Sequence, residues 1–238
     1  MITMTIHHLE KPNFQGAEAI NTLCSNLSIA GGDIRKILIT SCHPNEGKSF
    51  VTIHLLRAMA ELGKRIIMVD ADIRASTLQS HYDIEVSNSK EYLGLTGLLS
   101  GLCGIEDVIG QTNIAGADMI LPGKTVMNSF PLFSSFRLEE LLNELGKRYD
   151  LVFVDTPPIG TIIDTVEIAK CCNAALFVIQ SGAVTVSKLK KATAQIEKAG
   201  CPIMGYVMNK VNKREYAKDH YSYYYYTDGK TEKKQKHK

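Results

Sequence analysis

Short apolar runs alternate along this chain with longer segments in which apolar residues recur at helical spacing. The apolar runs are strand-sized and nearly continuous, which is typical of strands buried on both faces of a sheet. The predicted strands cover residues 36–41, 65–70, 119–121, 151–155, 175–179 and 203–208, and the predicted helices cover residues 15–29, 49–62, 132–148 and 184–199. This order predicts an α/β fold with a mostly parallel sheet covered by helices on both faces.

Length and composition indicate a single globular domain with a polar tail. The chain has 238 residues, of which 45% are hydrophobic and 22% charged, and this is enough for one well-buried core. We predict an N-terminal helical or interaction segment at 1–35, a core domain at 36–212 and a flexible tail at 213–238. The tail is basic and holds a tyrosine cluster, which consists of Tyr221, Tyr223, Tyr224, Tyr225 and Tyr226.

The rest of the composition argues against several classes of protein. A formal net charge of +2 gives no reason to expect nucleic acid as a partner. The N-terminus lacks a basic start followed by an apolar stretch, so no secretory signal is expected. No run reaches the ~18 apolar residues of a membrane helix. The six cysteines form no C-x-x-C pair suited to zinc, which favours reduced thiols in the cytoplasm.

The strongest chemical signal is the segment Cys-His-Pro-Asn-Glu-Gly-Lys-Ser at 42–49, between a predicted strand and a predicted helix. It fits the G-x-x-x-x-G-K-[ST] pattern of phosphate-binding loops, except that Cys42 replaces the first glycine. Backbone N–H groups of such a loop surround phosphates, the lysine neutralises them, and the hydroxyl binds Mg²⁺. Asparagine adopts positive φ readily, which suits position 45. The predicted contacts with ATP and Mg²⁺ are Asn45, Glu46, Gly47, Lys48, Ser49 and Phe50.

Carboxylates stand at the ends of two predicted strands. Asp70 and Asp72 lie in Val-Asp-Ala-Asp-Ile-Arg, and Asp155 ends the run Val-Phe-Val-Asp. A carboxylate at the end of an apolar strand is costly unless it meets a cation or hydrogen-bond donors, and the Mg²⁺ carried by ATP is such a cation. Each aspartate alone could cap the helix that follows it. The three together favour a metal–nucleotide site at the carboxyl edge of the sheet.

With the tyrosine cluster, these motifs resemble the bacterial protein tyrosine kinases (BY-kinases) of capsular and exopolysaccharide synthesis, in the stand-alone form of Gram-positive bacteria. The resemblance covers nearly the whole chain and implies a P-loop NTPase-like fold. It implies ATP-dependent transfer of phosphate to tyrosines, first of all to those of the chain's own tail. The matching positions are 44–49, 69–74, 154–160, Asp164, Gly205, Asn209, Lys210 and the tyrosine cluster.

The resemblance also implies roles for these residues. Lys48 and Ser49 hold the phosphates and Mg²⁺, Asp70 and Asp155 lie nearer the metal, and Asp72 takes the proton of the tyrosine hydroxyl. Asn209 and Lys210 fall where relatives contact the adenine side.

The partners that the resemblance implies are a transmembrane polysaccharide co-polymerase or activator, other copies of the chain and a cognate tyrosine phosphatase. The activator would recruit this cytoplasmic chain to the inner face of the plasma membrane.

The chain departs from the family pattern in two places. The E-x-x-R-x-x-R motif used for ring assembly aligns with Glu18, Asn21 and Cys24. Both arginines are therefore missing, and the sequence does not support an octameric ring. The segment at 128–135 also lacks the usual Asn-Pro opening.

Two other classes of function are open at this point. A ParA/MinD-like switch ATPase would share the loop, but that group has a lysine where this chain has His43 and has no reason to end in tyrosines. A non-catalytic scaffold that uses ATP only as a switch is disfavoured, because every expected carboxylate is present. Without the kinase motifs, the tyrosine cluster would be interpreted as the unmodified end of a disordered tail; with them, it is an accessible substrate for a neighbouring copy.

Overall fold

The computed structural model describes residues 2–29, 34–160 and 163–211. The tyrosine cluster lies outside the described residues. Within these ranges one sheet contains β1 (Ile2–Ile6), β2 (Lys36–Ser41), β3 (Ile66–Asp70), β4 (Ile84–Val86), β5 (Gly110–Thr112), β6 (Ala117–Ile120), β7 (Leu151–Asp155), β8 (Ala174–Gln180) and β9 (Ile203–Asn209). The α-helices are α1 (Phe14–Ile29), α2 (Lys48–Glu61), α3 (Leu78–His81), α4 (Gly94–Leu99), α5 (Phe130–Phe133), α6 (Phe136–Arg148), α7 (Asp164–Ala169) and α8 (Val186–Lys198).

The centre of the sheet is parallel, as the continuous apolar runs predict. Its strand order is β4-β1-β5-β6-β3-β7-β2-β8-β9, and every neighbouring pair from β6 to β9 is parallel. All five residues of β3 are buried, as expected for a strand covered on both faces. The parallel order brings the carboxyl ends of β2, β3 and β7 to one edge of the sheet.

Helices cover both faces, and the strand residues alternate between two cores. Ile67 and Val69 of β3 pack in one core with α4, α6, α7 and α8. Ile66 and Met68 pack in the other core with α1 and α2. This alternation follows from the two-residue period of a strand. The prediction of an α/β fold with helices on both faces is confirmed.

Three short strands extend the sheet beyond the parallel centre and were not predicted. β5 is antiparallel to β6, β1 is parallel to β5, and β4 is antiparallel to β1. In β1 the side chains of Met4 and Ile6 are buried while those of Thr3 and Thr5 are exposed. Residues 2–6 therefore belong to the sheet of the main domain, and the helix predicted at 15–29 forms as α1.

Candidate active site

The phosphate-binding loop connects β2 to α2 at the carboxyl edge of the sheet. Gly47 precedes the helix with φ 94° and ψ 27°, in the left-handed region, which glycine adopts at little cost. A Cβ atom at this position would lie 2.0 Å from Nδ2 of Asn209. Asn45 has φ 62°, which confirms that this position has a positive φ. The loop thus has the strand–loop–helix form that directs backbone N–H groups toward a phosphate.

Glu46 holds the phosphate-binding loop in place through hydrogen bonds in the protein interior. Its side chain is buried and accepts hydrogen bonds from the backbone N–H of His43 at 2.7 Å and of Gln180 at 3.2 Å. Its carbonyl oxygen accepts one from Nδ2 of Asn209 at 2.9 Å. Glu46 was predicted as a nucleotide contact. Its carboxylate bonds to the protein backbone and the residue is absent from the cavity lining described below, so a contact with the nucleotide stays a prediction.

Asp70 and Asp155 lie side by side because they are register partners on the parallel strands β3 and β7. Oδ2 of Asp155 accepts a hydrogen bond from Ser49 Oγ at 2.5 Å, and Oδ2 of Asp70 accepts one from Ser76 Oγ at 2.5 Å. Within the described part of the chain, Oδ1 of Asp155 is buried and has no hydrogen-bond partner. Two buried carboxylates and a serine hydroxyl thus meet beside the start of α2.

The electrostatics of this pair favour a bound cation. Burial raises the pKa of Asp155 to about 6, although Lys48 and the Ser49 hydroxyl act in the opposite direction. Burial and the neighbouring charge of Asp155 raise the pKa of Asp70. A divalent cation would neutralise both carboxylates and take up the unused oxygen of Asp155.

The donor set fits Mg²⁺ carried by a nucleotide. In the described ranges no group of three or more His, Cys, Asp or Glu side chains is arranged to hold a metal. Mg²⁺ does not need such a group, since it is commonly held by one or two carboxylates while substrate phosphates and water complete its coordination. Asp70, Asp155 and Ser49 would provide such a partial set of oxygen ligands.

Asp72 lies just beyond the end of β3 and differs from the other two aspartates. Its side chain is half-buried, and its Oδ1 accepts a hydrogen bond from the backbone N–H of Ala75 at 3.0 Å. Its own N–H donates to Oδ1 of Asp70 at 3.1 Å. Asp72 is therefore tied to Asp70 through the backbone, and it is less buried than Asp70 and Asp155.

A cavity of about 440 Å³ opens beside the loop, a size typical of small-molecule sites. Most of the predicted nucleotide contacts line it, namely Asn45, Gly47, Lys48, Ser49, Phe50, Asn209 and Lys210. Nζ of Lys210 donates to the carbonyl oxygen of Asn45 at 2.5 Å, so the end of β9 is joined to the loop.

Four further lining residues were missed, and they are Thr77, Leu78, His81 and Tyr82. They belong to α3 and its two flanking residues, and a four-residue helix carries no periodic signal in a sequence.

Comparison with known proteins agrees with this geometry. The model of the CobQ/CobB/MinD/ParA nucleotide binding domain matches residues 37–230. The chain is 30% identical over 195 residues to the tyrosine-protein kinase CpsD of Streptococcus pneumoniae, covering 82% of this chain and 84% of that protein. It is 29% identical to the tyrosine-protein kinase ptk of Acinetobacter johnsonii, covering 82% of this chain but 26% of that protein.

A solved structure agrees as well. The kinase domain of the Escherichia coli tyrosine kinase ETK superposes with a TM-score of 0.75 at 29% identity, covering 83% of this chain and 76% of that one.

Proposed function

We propose a specific function for this chain, which belongs to the tyrosine-protein kinases of the CobQ/CobB/MinD/ParA nucleotide-binding family. In this proposal the chain uses ATP and Mg²⁺ to phosphorylate its own C-terminal tyrosines, and one copy phosphorylates another. It is a protein-tyrosine kinase, and the ParA/MinD-like alternative is disfavoured. The observation that carries the proposal is the meeting of the phosphate-binding loop with the paired carboxylates Asp70 and Asp155 at one edge of the sheet.

In the proposed reaction the tyrosine oxygen bonds to the γ-phosphorus while the bond from that phosphorus to the β–γ bridging oxygen breaks. Asp72 accepts the hydroxyl proton, since its carboxylate is half-exposed and close in sequence to the metal-side Asp70. Lys48 neutralises the phosphate oxygens, and the loop N–H groups orient them. Mg²⁺, held by Ser49, Asp70 and Asp155, would supply further neutralisation of the phosphates. Positioning and charge neutralisation contribute most of the catalysis in such transfers.

The proposed substrate is the tyrosine cluster of a neighbouring copy. Lys210 lines the nucleotide cavity, and Tyr221 follows it in the sequence after ten intervening residues. Even ten fully extended residues span only ~33–36 Å. We therefore propose that the tyrosine cluster enters the site of a neighbouring copy more readily than its own. Each phosphate adds roughly −1.5 to −2 charge, which would make the basic tail acidic and favour release of a bound partner.

The test mixes two variants. A Lys48→Met protein with its tail intact is incubated with an active protein that lacks residues 213–238, and phosphate is mapped by mass spectrometry. We expect phosphate on the tyrosine cluster of the Lys48→Met protein. Asp72→Asn in the active protein should suppress the transfer far more than it weakens ATP binding, because it removes the base and leaves the loop intact. If phosphate never reaches tyrosine while ATP is hydrolysed, the transfer proposed here is wrong.

We also propose a membrane partner and a role in capsular or exopolysaccharide synthesis. None of the described helices is long and apolar enough to cross a membrane, while the Acinetobacter johnsonii relative is about four times as long as the segment it shares with this chain. A separate transmembrane activator would supply a cytoplasmic segment near the nucleotide site and recruit the chain to the inner face of the plasma membrane. Adding the cytoplasmic segment of such a protein should raise the rate of tyrosine phosphorylation. If the cytoplasmic segments of all the transmembrane proteins tested left the rate of tyrosine phosphorylation unchanged, the proposal of a membrane partner would be contradicted.

A further inference from the structure

The β6–α5 segment, residues 121–129, meets the loop of Asp72 at the carboxyl edge of the sheet. Asp72 lies beyond the last residue of β3, so strand pairing does not hold it directly. The carbonyl oxygen of the next residue, Ile73, accepts a hydrogen bond from the N–H of Val126 at 3.2 Å. The loop of Asp72 is therefore joined to the β6–α5 segment, and its position depends on how that segment is held.

Ser129, the last residue of the β6–α5 segment, anchors it to the start of α7. The serine hydroxyl donates a hydrogen bond to Oδ2 of Asp164, and both residues are only 1% exposed. The two residues are 35 positions apart in the sequence. A buried hydrogen bond is electrostatically stronger than one in water, so this bond fixes the β6–α5 segment against α7.

The start of α7 is in turn fixed to the loop that follows Asp155. The hydroxyl of Thr165, the neighbour of Asp164, donates to the carbonyl oxygen of Pro157 at 2.8 Å. The hydroxyl of Thr40 in β2 donates to the same oxygen at 3.1 Å, and both threonines are fully buried. The β6–α5 segment is therefore anchored, through Asp164, to a rigid part of the core beside the metal-side carboxylates.

The bond between Ser129 and Asp164 is a property of this chain's own sequence. The chain lacks the Asn-Pro opening here, because Asn128 is followed by serine. A proline at this position would have no hydroxyl to donate. Among the described residues, Oδ1 of Asp164 is buried without a hydrogen-bond partner. A buried carboxyl group that is only partly satisfied is costly, so its presence calls for an explanation.

We propose that Ser129 and Asp164 are a positioning pair that holds the β6–α5 segment, and through it Asp72, in the geometry required for phosphate transfer. The proposal rests on the proposed function, in which Asp72 accepts the proton of the tyrosine hydroxyl. Neither member of the pair lines the nucleotide cavity. Loss of their bond should therefore slow the transfer and leave nucleotide binding intact, since a displacement of about 1 Å at a reacting group can lower a rate a hundredfold.

Ser129→Ala tests the pair by removing the donor. In the full chain, the maximal rate of tyrosine phosphorylation is measured at saturating ATP and Mg²⁺, the dissociation constant of ADP by calorimetry, and stability by urea unfolding. We expect the maximal rate to fall about tenfold to a hundredfold and the affinity for ADP to stay unchanged. Asp164→Asn keeps an oxygen that can accept from Ser129, so it should remain faster than Ser129→Ala.

A double variant separates positioning from stability. Ser129→Ala leaves a buried carboxylate without its donor, which is destabilising. Adding Asp164→Asn removes that carboxylate but does not restore the bond. The double variant should therefore be more stable than Ser129→Ala and equally slow.

Tyr149→Phe is the matched control. The hydroxyl of Tyr149 donates to Oδ2 of Asp118 at 2.5 Å, so this variant also removes a hydroxyl donor from a carboxylate. The bond lies at the opposite edge of the sheet, where β6 and β7 begin. Tyr149→Phe should lose stability and keep the maximal rate.

The outcomes that would overturn the positioning pair are distinct from failure of the proposed function. An unchanged rate in Ser129→Ala, a parallel loss of ADP affinity, or an equal loss of rate in Tyr149→Phe would each refute it. So would a double variant that regained rate together with stability, or an Asp164→Asn variant as slow as Ser129→Ala. If the unsubstituted chain transfers no phosphate to tyrosine, the proposed function is refuted and the positioning pair with it.

Discussion

Glu46→Gln should loosen the phosphate-binding loop without touching the nucleotide. The carboxylate is 1% exposed, and its two oxygens accept from the N–H groups of His43 and Gln180. Glutamine keeps the shape but replaces one oxygen with an NH₂ group, so one of the two backbone donors then faces another donor. Neither N–H group can turn to water, because both are fixed by the backbone of the loop and of the end of β8.

The magnitude follows from the two hydrogen bonds. A bond to a charged acceptor contributes about 1.5–3 kcal/mol and a neutral one about 1 kcal/mol. Losing one charged bond and weakening the other to a neutral one costs about 2–5 kcal/mol. For a chain of this length that corresponds to a fall in Tm of roughly 4–20 °C. Nucleotide affinity should also fall, because the loop must be reordered before its N–H groups can surround a phosphate.

The measurement is thermal unfolding with and without saturating ADP. Glu18→Gln makes the same change of charge at an exposed position of α1. It should leave Tm within about 2 °C, since surface substitutions usually change stability by less than ~0.5 kcal/mol. If Glu46→Gln matched this control in Tm and in ADP affinity, the bracing role of Glu46 would be refuted.

Two further predictions concern neighbouring positions. Gly47→Ala should abolish tight nucleotide binding, because its φ is positive and the new Cβ would clash with Asn209. The control is Gly63→Ala, which has a positive φ but open space around it and should lose only the ~1 kcal/mol of stability that backbone strain costs. Equal ADP affinity in the two variants would contradict the prediction for Gly47. Burial raises the pKa of Asp155 to about 6 against ~3.9 when unfolded, so its charge destabilises the nucleotide-free protein as pH rises through that window. Asp155→Asn should therefore raise the free energy of unfolding by up to about 3 kcal/mol at pH 8 and hardly at pH 4; an equal change at both pH values would refute the assignment.

The parallel centre of the fold and the core of the site could be predicted because their signals are local. Five or six apolar residues in succession require burial on both faces, and such strands need helical crossovers between them. Asp70 and Asp155 end two of these strands, so parallel register alone brings them together. The phosphate-binding loop before α2 could be recognised because phosphate binding requires particular residue types at a fixed spacing.

The missed features depend on contacts that a sequence does not display. β4 and β5 have three residues each, too few for a period to emerge. The sequence does not show whether the side chain of a loop glutamate points to a nucleotide or to the protein. The carboxylate of Glu46 accepts a hydrogen bond from the backbone of the last residue of β8, 134 positions away. Tyr82 reaches the cavity only because α3 returns beside α2.

Two of the residues whose buried polar atoms have no hydrogen-bond partner lie at the site. Among the described residues, four buried side-chain atoms have no hydrogen-bond partner: His54 Nδ1, Tyr82 Oη, Asp155 Oδ1 and Asp164 Oδ1. Tyr82 borders the nucleotide cavity, and Asp155 is bonded to Ser49 at its edge. A ligand that satisfies such groups binds the folded state alone, so it stabilises that state in proportion to the logarithm of its concentration. A fold that completed these bonds internally would be more stable when empty and would bind the nucleotide less tightly, because the same donors and acceptors would already be used.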